Sequence, residues 1–223
     1  EGVVAIDGKT IRGASKCTSS HPAGNPGFKL HMVSAWATAN GISLGQLKVN
    51  EKHNEIVAIP LLLEALDLTG CLVTIDAMGC QTDIAKKKIE CGADYVLALK
   101  ENHRNLYNTV KGWFDDLDKK NIDVNKAYYA TRYGKYITEE EAHGKHERRE
   151  CLVYSCQALT GMLKDWKGLK AVVRISSQRT IRTTGETTVN HRFYITSLGL
   201  EPQRIAEAIR AHWAIENNLH WQL

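Results

Sequence analysis

Two short apolar runs in this chain end on aspartate: Val3-Val4-Ala5-Ile6-Asp7 and Leu72-Val73-Thr74-Ile75-Asp76. A carboxylate at the end of a buried strand is costly to desolvate unless a metal ion or a cationic partner uses it. If the two strands pair side by side, their carboxylates meet, and two hard oxygen donors at one point begin a site for metal-dependent phosphoryl transfer. A third acid comes from the far end of the chain. Placed at helical steps, residues 205–220 put Ile205, Ala208, Ile209, Trp213, Ile215 and Leu219 on one apolar stripe. His212, Glu216 and His220 fall within that stripe at i, i+4 and i+8, which stacks them on one face. A glutamate centred in a core-facing stripe needs a partner. Either it pairs with His or Arg and holds the helix down, or it faces the same metal as Asp7 and Asp76. Three carboxylates on two strands and one helix suit two Mg²⁺ ions, which take oxygen ligands and keep several waters. Two such ions activate a nucleophile and stabilise the leaving oxygen of a phosphodiester.

The elements that must position these acids are legible in the first half. Residues 3–7 read as a strand followed by a turn at Gly8, Phe28 to Thr38 as a second strand and Ile42 to Val49 as a third, with Asn40-Gly41 as the hairpin signal between the last two. Residues 54–67 read as a helix interrupted by Pro60, 71–76 as a strand, 81–91 as a short amphipathic helix closed by Gly92, and 95–100 as a strand. A helix over 103–118 carries Leu106, Val110, Trp113, Phe114 and Leu117 on one side. The order β-β-β-α-β-α-β-α predicts an α/β fold with a mixed sheet and helices on both faces, the first and fourth strands adjacent at its centre. Residues 126–198 change character. Tyr128 to Tyr133, Glu147 to Ser155, Leu169 to Ser176 and His191 to Ser197 read as strands of a β-rich insertion, and a final helix runs from Pro202 past Leu223. The expected organisation is a core over 1–125, an insertion over 126–198, and a closing core helix over 199–223.

Charge separates the same segments. The net charge is +4. Residues 126–192 hold 13 Lys/Arg against 7 Asp/Glu, whereas 1–125 hold 14 against 15. A localised basic excess points to a polyanion, although a lysine-rich solvated surface has the same count. The six cysteines include no C-x-x-C pair and read as reduced thiols. A zinc site from His143, His146, Cys151 and Cys156 has no recognised ligand spacing. No apolar run reaches the roughly 18 residues of a membrane span, and no signal peptide is evident, so a cytoplasmic protein is expected. The chain begins at Glu1 on a strand and stops at Leu223 within a helix, the pattern of a fragment of a longer protein.

AIDGKTIRG, HMVSAWATANGISLGQLKVNEKHNEI, TIDAMGCQTDIAKKKIECGADYVLALKENH and HWAIENNLHW, in this order, resemble the DDE transposases of bacterial insertion sequences, most closely the H-repeat-associated type found with Rhs elements. The resemblance covers essentially the whole chain. It implies an RNase H-like catalytic domain whose DDE acids are Asp7, Asp76 and Glu216, using Mg²⁺, with Mn²⁺ as substitute. It implies double-stranded DNA as partner, at element ends and at the target, a homodimer in a synaptic complex, no membrane, and a place at the nucleoid. Lys9, Arg12, Lys100, His103, His212, Arg148 and Arg149 are then candidates for DNA contact. The wider family carries Tyr, Arg and Lys around the glutamate where this chain has Ile209, His212 and Leu223. Three rival readings remain: a nuclease that cuts without joining, an inactive DNA-binding derivative, and a zinc hydrolase built on His212, Glu216 and His220.

Overall fold

Alternation along the first strand decides which way its residues face. In the computed structural model, which describes residues 2–11, 30–49, 55–120, 123–124, 130–142, 144–156 and 163–220, β1 (Val3–Ile11) lies between β2 (Leu30–Ala37) and β4 (Leu72–Ile75). β3 (Ile42–Val49) pairs antiparallel with β2, so the order is β3-β2-β1-β4. The β1–β4 pair is parallel and β1–β2 antiparallel. This is the expected mixed α/β arrangement, with the first and fourth strands adjacent. Val4 and Ile6 of β1, Val33 and Ala35 of β2, and Val73 and Ile75 of β4 are buried. So are Ala58, Ile59, Leu62 and Leu63 of α1 (Glu55–Glu64), together with Ile84 and Ala85 of α2 (Thr82–Glu90). Pro60 sits inside α1 and gives up one hydrogen bond of the helix.

The chain divides into two compact units, one of residues 1–94 with 210–223, the other of residues 95–209. The second is built on β5 (Asp94–Leu99), β9 (Thr187–Thr196), β8 (Ala171–Ile181), β7 (Lys145–Ser155) and β6 (Tyr133–Ala142), antiparallel and in that order. β9 therefore returns the β-rich segment to β5, through Val96↔Thr196 to Leu99↔Phe193. The strand expected from Tyr128 starts instead at Tyr133, because 130–132 form a turn; Tyr128 and Tyr129 lie outside the described residues. α3 (Arg104–Lys119) buries Leu106, Val110, Phe114 and Leu117, as its period predicts. Trp113 is half-buried and meets Tyr154 edge-on. α4 (Pro202–Ala214) ends the α-helical chain. Among the described residues no helix is long and apolar enough to cross a membrane.

One buried charge breaks the pattern of the core. Lys88 on α2 is fully buried, and burial holds its ammonium well below the ordinary lysine value, with Cys80 acting in the opposite sense. An unfolded lysine stays protonated below its ordinary value while the folded one does not. Folding stability contributed here is therefore lost as pH falls from that value toward the lowered one. Lys88→Met is expected to raise the melting temperature and to flatten its dependence on pH from about 6.5 to 7.5, a window below the ordinary cysteine value of about 8.5. Thermal melts across that window check it; an unchanged slope refutes it.

Candidate functional site

Strand register stacks the candidate residues in rows. Ala5 of β1 pairs with Trp36 of β2 and Thr74 of β4, and these three side chains share one face. Two residues on, Asp7 pairs with Ser34, which pairs with Gln46. The parallel β1–β4 register runs to Ile6↔Ile75, so Asp7 and Asp76 stand at neighbouring positions one step beyond. Gln46, Ser34, Asp7 and Asp76 form a polar row on that face, with Gln46 Nε2 donating to Ser34 Oγ at 3.1 Å. The next row is Lys48, Met32 and Lys9, both lysines exposed. Ser34, Gln46 and Lys48 carried no signal in the sequence beyond strand alternation, because only pairing shows which residues neighbour Asp7.

A tight turn fixes Asp76. Its Oδ1 accepts from the backbone N–H of Met78 at 3.0 Å and of Gly79 at 3.3 Å. The aspartate thereby holds its own loop, as Asx turns do. A Cβ on Gly79 would land on Ile75 Cγ2, so glycine is what lets the loop fold back on β4. Asp7 and Asp76 are both half-buried.

The last helix reaches the same face. His212 Nδ1 is hydrogen-bonded to Thr74 Oγ1 at 2.9 Å, and Ile215 is buried against Ala5 and Trp36, with Leu219 packed beside it. Glu216 follows Ile215 directly. Ile215–His220 is a π-helical turn rather than more α-helix. A wider turn advances fewer degrees per residue, so the strict i, i+4, i+8 stack of His212, Glu216 and His220 does not continue through it. Such turns occur often at functional sites. The described contact of His212 is with the strand, and the side chain of His220 lies outside the described residues. Thr74 is buried, so Thr74→Val, which removes this hydrogen bond at nearly constant volume, is expected to cost about 1–2 kcal/mol. Denaturant unfolding checks it; no change in midpoint would mean that the bond does not anchor the helix.

The donor chemistry of the three acids is that of a hard cation, all oxygen. Among the described residues no three His, Cys, Asp or Glu side chains stand close enough together to hold a metal ion as they are. Mg²⁺ needs only one or two carboxylates besides waters and substrate phosphates, and the adjacent Asp7 and Asp76 fit that requirement.

The remaining candidates fall elsewhere. Arg12 and His143 lie outside the described residues. Lys100, just after β5, is exposed, and His103 packs edge-on against Trp166 with ring centroids 5.3 Å apart; both belong to the second unit. Arg148 and Arg149 on β7 are committed to carboxylates. Arg148 meets Glu139 at 3.4 Å and Glu150 at 3.3 Å; Arg149 meets Glu140 at 3.1 Å and Glu147 at 2.6 Å. Glu140 and Glu147 stand directly opposite one another, and Arg149 offsets their repulsion. Lys135, Arg179 and Arg182 pair with Glu150, Glu147 and Glu141. Several basic residues of this segment are thus already engaged across strands, and a phosphate at Arg148 or Arg149 would have to displace a glutamate. Burial pushes the Cys151 and Cys156 thiols up to about 12, which opposes the thiolate form that zinc requires.

On the opposite face of β1 is a group that sequence reading passed over. Glu55, at the start of α1, is 4% exposed. It is hydrogen-bonded to His31 Nε2 at 2.5 Å, and His31 Nδ1 to Thr10 Oγ1 at 2.9 Å. Burial pushes the Glu55 carboxyl up, His31 opposes this, and the charges of Asp76 and Asp7 add to it. The only hint in the sequence was an acid at the head of an otherwise apolar helix.

The model of the "Transposase DDE domain" family matches residues 1–222. YncI of Escherichia coli O157:H7, whose name places it among transposases, is 40% identical over 223 residues, covering 99% of this chain and 53% of its own. YhhI of Escherichia coli K12, named as H repeat-associated, is 37% identical over 224 residues, covering 99% of this chain and 55% of its own. The chain spans about half the length of these relatives. A piggyBac transposase synaptic complex with hairpin DNA aligns with 96% of this chain and 39% of its own, at 8% identity and a TM-score of 0.45.

Proposed function

Since the chain belongs to the transposase DDE-domain family, we propose that Asp7, Asp76 and Glu216 form the metal-dependent centre of a transposase that cleaves DNA and transfers the cut strand. The observation that carries this reading is the β1–β4 register, which makes Asp7 and Asp76 neighbours on the face where Ile215 packs, one residue before Glu216. Asp7, inside β1, and Asp76, just past the end of β4, would hold the cation, and the Thr74–His212 bond would set the approach of the glutamate. Mg²⁺, or Mn²⁺ in its place, would supply charge to polarise the scissile phosphate and to lower the pKa of the attacking water. In the first step the water oxygen bonds to phosphorus, the P–O3′ bond breaks, and the 3′ oxygen leaves as a hydroxyl. In the second, that hydroxyl attacks a target phosphodiester in line, forms a new P–O3′ bond and expels the target strand's own 3′ oxygen. Neither step needs a covalent enzyme intermediate.

Lys9 and Lys48, in the row beside Asp7, are placed to meet phosphate oxygens and steer duplex DNA across the face. Double-stranded DNA is the substrate, first the element end and then the target, and two copies hold the paired ends in a synaptic complex. The test is incubation of the full-length protein with end-bearing DNA and Mg²⁺ or Mn²⁺. Nicked and joined products are expected. Nicks without joined product would support a cleavage-only nuclease, and no metal-dependent product would overturn the reading.

A further inference from the structure

Gly8, the residue after Asp7, faces α1. A Cβ placed there would fall inside the carboxylate of Glu55, nearer than any real Cβ contact. The carboxylate of Glu55 therefore lies directly against the backbone of β1, beneath the acid on the other face. His31 holds it there through a hydrogen bond. With Glu55 ionised, His31 Nε2–H donates to its Oε1, and His31 is held in turn by Thr10. His31 and Thr10 are register partners on β2 and β1. The relay thus joins three elements, β1, β2 and α1, around one peptide of β1. It is almost sealed from water, His31 being 3% and Glu55 4% exposed. A buried ionisable pair of this kind is seldom a source of net stability, because desolvation offsets the attraction. Ordinary core packing at this place would use apolar side chains, as the rest of α1's inner face does.

We propose that Glu55, locked by His31 and Thr10 against Gly8, is a positioning residue that holds the Asp7 segment of β1 at the spacing from Asp76 that a divalent cation requires. The proposal rests on the metal-dependent reading above. Glu55 is not itself a ligand, since it lies on the face opposite Asp7 and its Oε1 is taken by His31. It acts as the partners behind metal ligands do, by fixing where a ligand stands.

The experiment is Mn²⁺ binding by the full-length protein without DNA, followed by the electron-spin signal of free Mn²⁺, with circular dichroism to establish folding. Glu55→Ala and Gly8→Ala are each expected to weaken Mn²⁺ binding by about tenfold or more. Glu55→Gln keeps the volume and an acceptor for His31, and is expected to retain affinity within about threefold of wild type, a rescue that loss of charge alone would not allow. Should Glu55→Ala or Gly8→Ala fail to fold, Glu55→Gln and His31→Ala decide, the latter expected to weaken binding like the alanine at Glu55. Wild-type affinity in folded Glu55→Ala or His31→Ala overturns the positioning role. Equal weakening by Gln and Ala overturns it in favour of a charge or ligand role. Failure of the underlying reading looks different: wild type then binds no Mn²⁺, or Asp7→Ala leaves binding unchanged.

Discussion

Asp76→Asn in the full-length protein is expected to lower Mg²⁺-dependent DNA cleavage by at least about a thousandfold, roughly 4 kcal/mol of transition-state stabilisation, while leaving thermal stability nearly unchanged. The asymmetry follows from how Asp76 is used. Its Oδ1 accepts two backbone N–H groups of the following turn. The amide oxygen of asparagine accepts the same bonds, so the loop keeps its shape. What asparagine cannot supply is the negative charge that a divalent cation requires. Asp76→Ala would confuse the two roles, since it frees both N–H groups and loosens the loop as well. Asp7→Asn and Glu216→Gln are expected to lose activity to a similar degree, because in the proposed centre each would supply charge to the same cation and such groups act as a unit. The measurement is nicking of end-bearing DNA beside a thermal melt for each variant. Residual metal-dependent cleavage within tenfold of wild type in any one would remove that residue from the centre.

Asp118→Ala is expected to destabilise the protein by about 2–3 kcal/mol, and Arg174→Met by less. Arg174 on β8 is 5% exposed. Its Nη1 and Nη2 donate to the two carboxylate oxygens of Asp118 at 2.6 and 3.0 Å, and its guanidinium lies 5.2 Å from the Phe114 ring centre. Nε has no hydrogen-bond partner among the described residues. Deleting Asp118 leaves a buried cation without its counter-charge, whereas methionine fills the same space with nothing to desolvate. The carboxylate of Asp118 is itself half exposed, which keeps the cost below that of a fully buried pair. A pH signature accompanies it. Burial, then Arg174, hold His191 below its ordinary value, and Asp118 opposes them. A histidine lowered in the folded state loses stability as pH falls through its unfolded value near 6.5. Without Asp118 that loss grows, so the deficit should be wider in mild acid than at pH 8. Urea unfolding of both variants at two pH values checks it. A larger loss for Arg174→Met than for Asp118→Ala would refute the account.

The parts most legible in the sequence were those where one period governs both local structure and burial. β3 runs over Ile42–Val49 as the alternation and the Asn40-Gly41 turn predict. α3 buries four of the five residues on its predicted apolar side. Boundaries slipped where neighbours override the local pattern. Tyr128 to Tyr133 looks like a strand by composition, yet 130–132 form a turn, and among the described residues β6 begins at Tyr133, where Tyr154 pairs with it and their rings stack. The end of α4 slipped for a comparable reason. An apolar stripe specifies that a helix is present, but not that its last turn widens when Ile215 settles on Ala5 and Trp36.

For this protein, composition and spacing alone marked two aspartates on apolar strands, a glutamate on an apolar helical face, and a segment carrying the positive excess; they misplaced the end of the first strand, because pairing with β2 carries β1 past Gly8 to Ile11 and leaves Asp7 inside it. They determined the α/β class too, because periods of two and of 3.6 are local properties. Tertiary structure decided which of these residues are neighbours. Only pairing in parallel register sets Asp7 beside Asp76, and only the fold brings His212 to a strand 138 positions away and Ile215 onto Ala5 and Trp36 to anchor the glutamate helix. Only packing showed that Arg148 and Arg149 are engaged by glutamates, and that a buried Glu55 lies under the glycine after Asp7. Charge and polarity can be counted along a chain. Whether a charge is compensated, and by which partner, depends on distances that exist only after folding.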